Sequence, residues 1–157
     1  MLLVALFILV FAQAGLRSTN ADTRSLVDST FVVQNLNSYS VKLDIDISNY
    51  RNARIVGTIE VSGGSLNLYV MDPSGYDSFK KTNKPGTVIF RADNIQSYSM
   101  NLPITQSGTY YIVFDNQAAL LSSRTVKARL DLSFENPMQM LMTYGIVGVV
   151  AIVVLVV

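Results

Sequence analysis

Apolar and polar residues alternate with a period of two in Val41-Lys42-Leu43-Asp44-Ile45-Asp46-Ile47 and again in Val126-Lys127-Ala128-Arg129-Leu130-Asp131-Leu132-Ser133-Phe134. Successive side chains of a strand point to opposite faces, so each segment predicts a strand with one dry face and one charged face. Shorter runs over residues 54–61, 66–71, 87–91, 98–102 and 109–115 predict further strands, with a short opening strand at 30–34. Tyr110-Tyr111-Ile112-Val113-Phe114 is nearly continuous in its hydrophobicity, which predicts a central strand buried on both faces with Tyr110, Ile112 and Phe114 in the core. No helix-period segment competes with these runs. About eight strands in roughly 110 residues predict an all-β chain, an antiparallel β-sandwich of jelly-roll or similar Greek-key type.

The punctuation between strands has its own chemistry. Ser62-Gly63-Gly64-Ser65 can supply positive φ for a tight hairpin, Asp72-Pro73-Ser74-Gly75 reads as a β-turn, and Gln106-Ser107-Gly108 precedes the most apolar strand. Outside the alternating region the pattern stops at both ends. Residues 1–11 are a continuous apolar run followed by Ala12-Gln13-Ala14-Gly15, the small-x-small pattern of a secretory signal cleaved after Ala14. An uncleaved apolar anchor is the alternative for residues 1–16, although the run is shorter than the roughly 20 residues a spanning helix needs. Met138–Val157 is interrupted only by Gln139, Thr143 and Tyr144, and predicts a transmembrane helix, with Pro137 marking the break from the last strand. The resulting organisation is a signal or anchor at 1–16, a linker at 17–29, the sandwich at 30–135 and the membrane span at 138–157.

Charge sharpens this division. All 12 Lys and Arg and all 11 Asp and Glu lie between Arg17 and Glu135, so a net charge of +1 hides two charge-free ends. No basic residue follows the apolar stretch, so orientation rests on the signal, which places the domain outside the cytosol. The absence of histidine and cysteine removes imidazole bases, Ser-His and Cys-His nucleophile pairs, ordinary zinc sites, disulfides and iron–sulfur ligation. No cofactor is expected, and the near-neutral domain lacks the cationic excess that nucleic-acid binding requires.

Four groups of residues qualify as candidate chemistry. Asp44 and Asp46 share a strand face and invite a calcium ion or an acid–base pair, but a solvated face explains them as well. Asp72 and Asp77 bracket a turn without the spacing of a calcium loop. Ser62 and Ser65 have no nearby lysine to activate them. Phe79, Lys80, Lys81 and Lys84 form a basic loop with an aromatic neighbour that needs no burial there, and this loop is the candidate contact with lipid head groups or an acidic protein partner.

Two segments together carry a family resemblance. Val61 to Gly75, with its Ser-Gly-Gly-Ser turn and Asn67-Leu68-Tyr69-Val70-Met71-Asp72-Pro73-Ser74-Gly75 strand, resembles the corresponding hairpin and strand of GOLD domains. Ser107-Gly108-Thr109-Tyr110-Tyr111-Ile112-Val113-Phe114-Asp115-Asn116, continuing through Leu121 to Val126, is similar to a block of the emp24/p24 proteins and their prokaryotic relatives. The resemblance covers most of residues 30–134 and implies a β-sandwich that binds other proteins outside the cytosol in a single-pass membrane protein. The cysteine pair of eukaryotic p24 ectodomains, their coiled-coil segment before the span and their cytosolic tail have no counterpart here, so the resemblance points to a prokaryotic-type relative and not to cargo sorting. The expected function is a non-enzymatic, membrane-anchored extracytoplasmic protein-binding module, held in lipid by Met138–Val157 and able to form homo- or hetero-oligomers. The alternative is a small accessory or structural subunit of a larger membrane complex, surface layer or filament. An enzyme working through Asp44 or Asp46 is the third.

Overall fold

The structure, a computed structural model, describes residues 21–137. Among them eight strands and one helix follow in order: β1 (Asp22–Val33), β2 (Ser38–Ile45), β3 (Arg51–Ser62), β4 (Leu66–Met71), α1 (Pro73–Thr82), β5 (Phe90–Ile95), β6 (Ser97–Pro103), β7 (Gly108–Asp115) and β8 (Arg124–Glu135). The strands form two four-stranded sheets, β1-β8-β3-β6 and β2-β7-β4-β5, with every pairing antiparallel. The two sheets pack face to face as a β-sandwich. Among the described residues no helix is long and apolar enough to cross a membrane. The signal or anchor at 1–16 and the span at 138–157 lie outside the described residues.

The alternation read from the sequence is the alternation of the core. Leu43 and Ile45 of β2, Val126, Ala128, Leu130, Leu132 and Phe134 of β8, and Ile55, Ile59 and Val61 of β3 point between the sheets. β7 lies between β2 and β4. Its Tyr110, Ile112 and Phe114 enter this core, as expected, while Val113 and Tyr111 face the other side and meet a second, smaller cluster.

Three expectations are corrected. Residues 22–29 are not linker but the first two thirds of β1, which pairs along its length with β8. A register shift between Ser25 and Val27 breaks the alternation there, so the strand leaves no period-two signal. Gly63 and Gly64 do adopt positive φ, 88° and 131°, but β3 and β4 belong to different sheets. The glycines turn a crossing between sheets and close no hairpin. Finally, Asp72-Pro73-Ser74-Gly75 opens a helix where the sequence reading has a turn.

That helix has identifiable start and stop chemistry. Asp72 Oδ1 accepts a hydrogen bond from the Gly75 amide at 2.7 Å, Pro73 occupies the first turn where no amide is required, and Asn83 terminates the helix in the left-handed region with φ 54°. The Asn83 amide donates to the Phe79 carbonyl at 2.8 Å. α1 lies on the outer face of the second sheet. There it covers Tyr69, Met71 and Val113, which makes β4 and β7 strands with two dry faces.

Candidate functional site

Phe79, Lys80 and Lys81 belong to α1 and not to a loop, while Lys84 lies in the connection that follows the helix. Phe79 projects from α1 into the second cluster and is only 2% exposed, its ring 6.1 Å from that of Tyr69. It is a core residue of the helix-to-sheet contact and offers no surface to a partner. Lys80 and Lys81 occupy the last turn of α1, where a cation is favoured by the helix dipole. Lys80 Nζ lies 5.3 Å from the Tyr76 ring centroid and 4.0 Å from Asp77. Lys81 and Lys84 are exposed. The aromatic partner that gave the basic segment its interest is therefore withdrawn into the protein.

The carboxylate candidates are satisfied locally. Asp44 accepts from Thr109 Oγ1 at 2.6 Å and from Lys42 Nζ at 2.9 Å. The Thr109 hydrogen bond first, then Lys42, holds its carboxyl below the ordinary aspartate value. Asp46 Oδ1 accepts from the Ser48 amide at 2.9 Å, the Ser48 hydroxyl at 2.7 Å and Ser107 Oγ at 3.1 Å. Those bonds, Ser48 first, lower its carboxyl as well. Among the described residues no group of three or more potential metal ligands converges. Asp72 is a helix cap, so it too has a structural role.

The charged positions of the two alternating segments lie on different sheets. Lys42 and Asp44 stand on the outer face of the β2-β7-β4-β5 sheet. Lys127, Arg129 and Asp131 stand on the outer face of the other sheet, where Lys127 lies 3.5 Å from Glu60 and Arg129 3.4 Å from Asp28. These exposed pairs are worth little in binding or stability.

What the topology does bring together is the two ends of the described chain. Asp22 pairs with Phe134 across β1 and β8, so residues 1–21 and 136–157 attach to adjacent strands at one end of the sandwich. Tyr50, from the β2–β3 connection, stacks on Phe134 at that end with ring centroids 3.9 Å apart. At the other end, Val33 pairs with Arg124. β1 and β8 have 12 residues each, so the two ends are separated by roughly 40 Å at about 3.3 Å per residue.

This far tip is built from the β1–β2 turn and the β7–β8 loop. Asn116 holds them together: its Nδ2 donates to the carbonyls of Gln34 at 3.1 Å and Ser122 at 3.0 Å, and its amide donates to Asn37 O at 2.9 Å. Leu36 N donates to Ala119 O at 3.2 Å, Ala119 N to Asn116 O at 3.1 Å, and Asn35 Nδ2 to Leu120 O at 3.3 Å. On this pinned frame the apolar side chains point outward. Val32 is 50% exposed, Leu36 55%, Leu120 71% and Leu121 96%. Leu36 adopts φ 57°, a left-handed conformation that costs a non-glycine residue about 1–2 kcal/mol. The tip escapes sequence reasoning because loop residues have no periodicity. Its one signal is the Leu120-Leu121 pair in a segment, residues 116–123, without any charge.

No family model matches the chain, and no curated protein matches it. Among solved structures, the chain is similar to the Yersinia pseudotuberculosis-derived mitogen at 13% identity, with a TM-score of 0.43 over 72% of this chain and 86% of that one. It is similar to the nucleoplasmin-like N-terminal domain of Drosophila FKBP39 at 9% identity, with a TM-score of 0.34 over 76% of this chain and 94% of that one. It is also similar to the infectious bursal disease virus VP2 subviral particle at 15% identity, with a TM-score of 0.33 over 74% of this chain and 33% of that one.

Proposed function

We propose that this protein is a non-enzymatic module, anchored in a membrane by residues 138–157, that presents its sandwich outside the cytosol and binds other proteins there. The observation that carries the reading is the Asp22 to Phe134 pairing. It attaches both apolar segments to one end of the fold, so a single bilayer serves both without any strand of the domain lying between them. The charge-free composition of 138–157 supports its placement in lipid. The resemblance of residues 61–75 and 107–126 to GOLD domains supports a protein-binding role. The strand order β1-β8-β3-β6 over β2-β7-β4-β5 supports reading the sandwich as a jelly roll.

Washing membranes from expressing cells with alkaline carbonate tests the anchor. The full chain is expected in the pellet, with the domain cleaved by protease added to intact cells. Recovery of the intact chain in the supernatant would overturn the reading. Native-size separation in mild detergent separates the two forms of the function: a monomer or small oligomer supports the module, and a stoichiometric large assembly supports an accessory or structural subunit.

A further inference from the structure

We infer that the tip formed by Val32, Leu36, Leu120 and Leu121 is a lipid-insertion site, taking the acyl boundary of a bilayer other than the one that holds the chain. The inference rests on the anchored reading above for that second clause only; the tip's affinity for lipid stands on its own geometry.

Three features choose lipid over protein. First, the most exposed side chains, Leu120 at 71% and Leu121 at 96%, project from the convex end of the sandwich. Together with Val32 and Leu36 they cover a few hundred Å², less than the roughly 800 Å² per partner of a stable protein interface, of which apolar atoms supply a little over half. A fluid surface closes around such a projection where a folded partner needs a matching pocket. Second, neither residues 32–37 nor 116–123 contain a charged side chain; Arg124, which follows, donates to Ser122, Ser123 and the Ser65 carbonyl, so the leucines carry no ion of their own into the acyl region. Third, part of the loop's backbone is satisfied internally. The carbonyls of Asn116, Ala119, Leu120 and Ser122 each accept a hydrogen bond from within the tip. Leaving water therefore costs these groups less than it would cost an open loop.

Location then decides which bilayer. The tip lies roughly 40 Å along β1 and β8 from the end that carries residues 1–21 and 136–157. A domain standing on one membrane points Leu120 and Leu121 away from it. The contact is weak alone: two leucines strengthen partitioning by roughly 10²–10⁴-fold, comparable to a single short lipid chain. Many tethered copies on one surface make such a contact effective through multivalency.

The chain has no cysteine, so Leu121→Cys creates one labelling site, and Ser99→Cys on the exposed face of β6 serves as control. Each full-length variant, carrying an environment-sensitive fluorophore, is reconstituted into donor vesicles. Phosphatidylcholine acceptor vesicles that alone contain spin-labelled acyl chains are then added. The expected result is a blue shift and quenching at position 121, retained in 1 M NaCl, absent at position 99 and weakened about tenfold by an added Leu120→Ser. A probe at 121 that stays in water with acceptors present overturns the inference. So does a shift that appears without acceptors and grows with protein concentration, which would mark a second copy as the occupant. Flotation of the donor vesicles after alkaline washing reports the anchor separately, so loss of the protein there sinks the anchored reading while the probe still reports on the tip.

Discussion

Replacing Phe79 by alanine separates the structure from the picture of an exposed basic loop. In the structure the ring is 2% exposed, tilted against Tyr69 and enclosed by Met71 and Val113 under α1. Truncating a buried phenylalanine costs about 3–5 kcal/mol. The lower end applies here, because the cavity lies beneath a single ten-residue helix that can settle onto the sheet. About 3 kcal/mol in a domain of this size lowers the melting temperature by roughly 10–15 °C. Near-UV circular dichroism of the full chain in mild detergent, followed through thermal unfolding, reads this directly, since Tyr69, Tyr76 and Tyr111 lie in or against the same cluster. Lys80→Ala and Lys81→Ala, both exposed, are expected to change stability by less than about 0.5 kcal/mol. A Phe79→Ala protein that melts within about 2 °C of the unaltered chain would refute the helix-to-sheet packing.

Gly57 adopts φ 142° in β3, and a Cβ there would collide with the Arg129 carbonyl oxygen of β8. Gly57→Ala is expected to destabilise by about 2 kcal/mol or more, measured by urea unfolding; a neutral result would contradict the β3–β8 approach. Asp72→Ala removes the α1 cap and is expected to cost about 1 kcal/mol, with Asp72→Asn retaining most of it; equal loss in both variants would count against the Gly75 hydrogen bond. Asp44 and Asp46 have folded values below the ordinary aspartate value of 3.8, so their contribution to stability is present above that value and is lost as pH falls through the lowered ones. Carboxyl NMR titration should place both midpoints below 3.8, and a midpoint above it for either residue would contradict the hydrogen bonds drawn to Thr109 and Ser48. Tyr69 titrates above the ordinary tyrosine value, chiefly through burial and then through Asp115. Stability from keeping it neutral is therefore present below about pH 10 and falls as the medium becomes more alkaline; an ultraviolet titration that ionises Tyr69 at or below pH 10 would contradict its burial.

Much of the fold was legible where one physical rule governed the residues. β2 and β8 alternate inward and outward side chains, a pattern visible without any partner, and the unbroken apolar run of β7 marks a strand covered on both faces. β1 was legible only from Thr30 onward, because the irregularity at Ser25 to Val27 shifts the inward positions and only one of its faces meets the core. The helix had its signals in the chain: an Asp cap, Pro at the first position, Tyr76 and Phe79 three apart, and two lysines at the end. Asp-Pro-Ser-Gly fits a turn equally well at four residues, and only the tertiary contact of Phe79 with the outer face of β4 and β7 selects between them. The positive φ of Gly63 and Gly64 was likewise local and visible, whereas the sheet to which the next strand belongs depends on pairing with distant β7. The tip was the least visible feature, since the exposure of Leu120 and Leu121 follows from hydrogen bonds that Asn116 and Asn35 make across more than 80 residues.

The central claim, that one end of the sandwich meets the membrane and the leucine tip stands away from it, is tested most directly by depth measurement on a single bilayer. Single cysteines at Asn49, in the β2–β3 connection, and at Leu121 are labelled in the full chain assembled into nanodiscs containing a head-group quencher. The account predicts strong quenching at position 49 and none at position 121, a difference set by the roughly 40 Å length of β1 and β8. Equal quenching at both positions, or stronger quenching at 121, would contradict it.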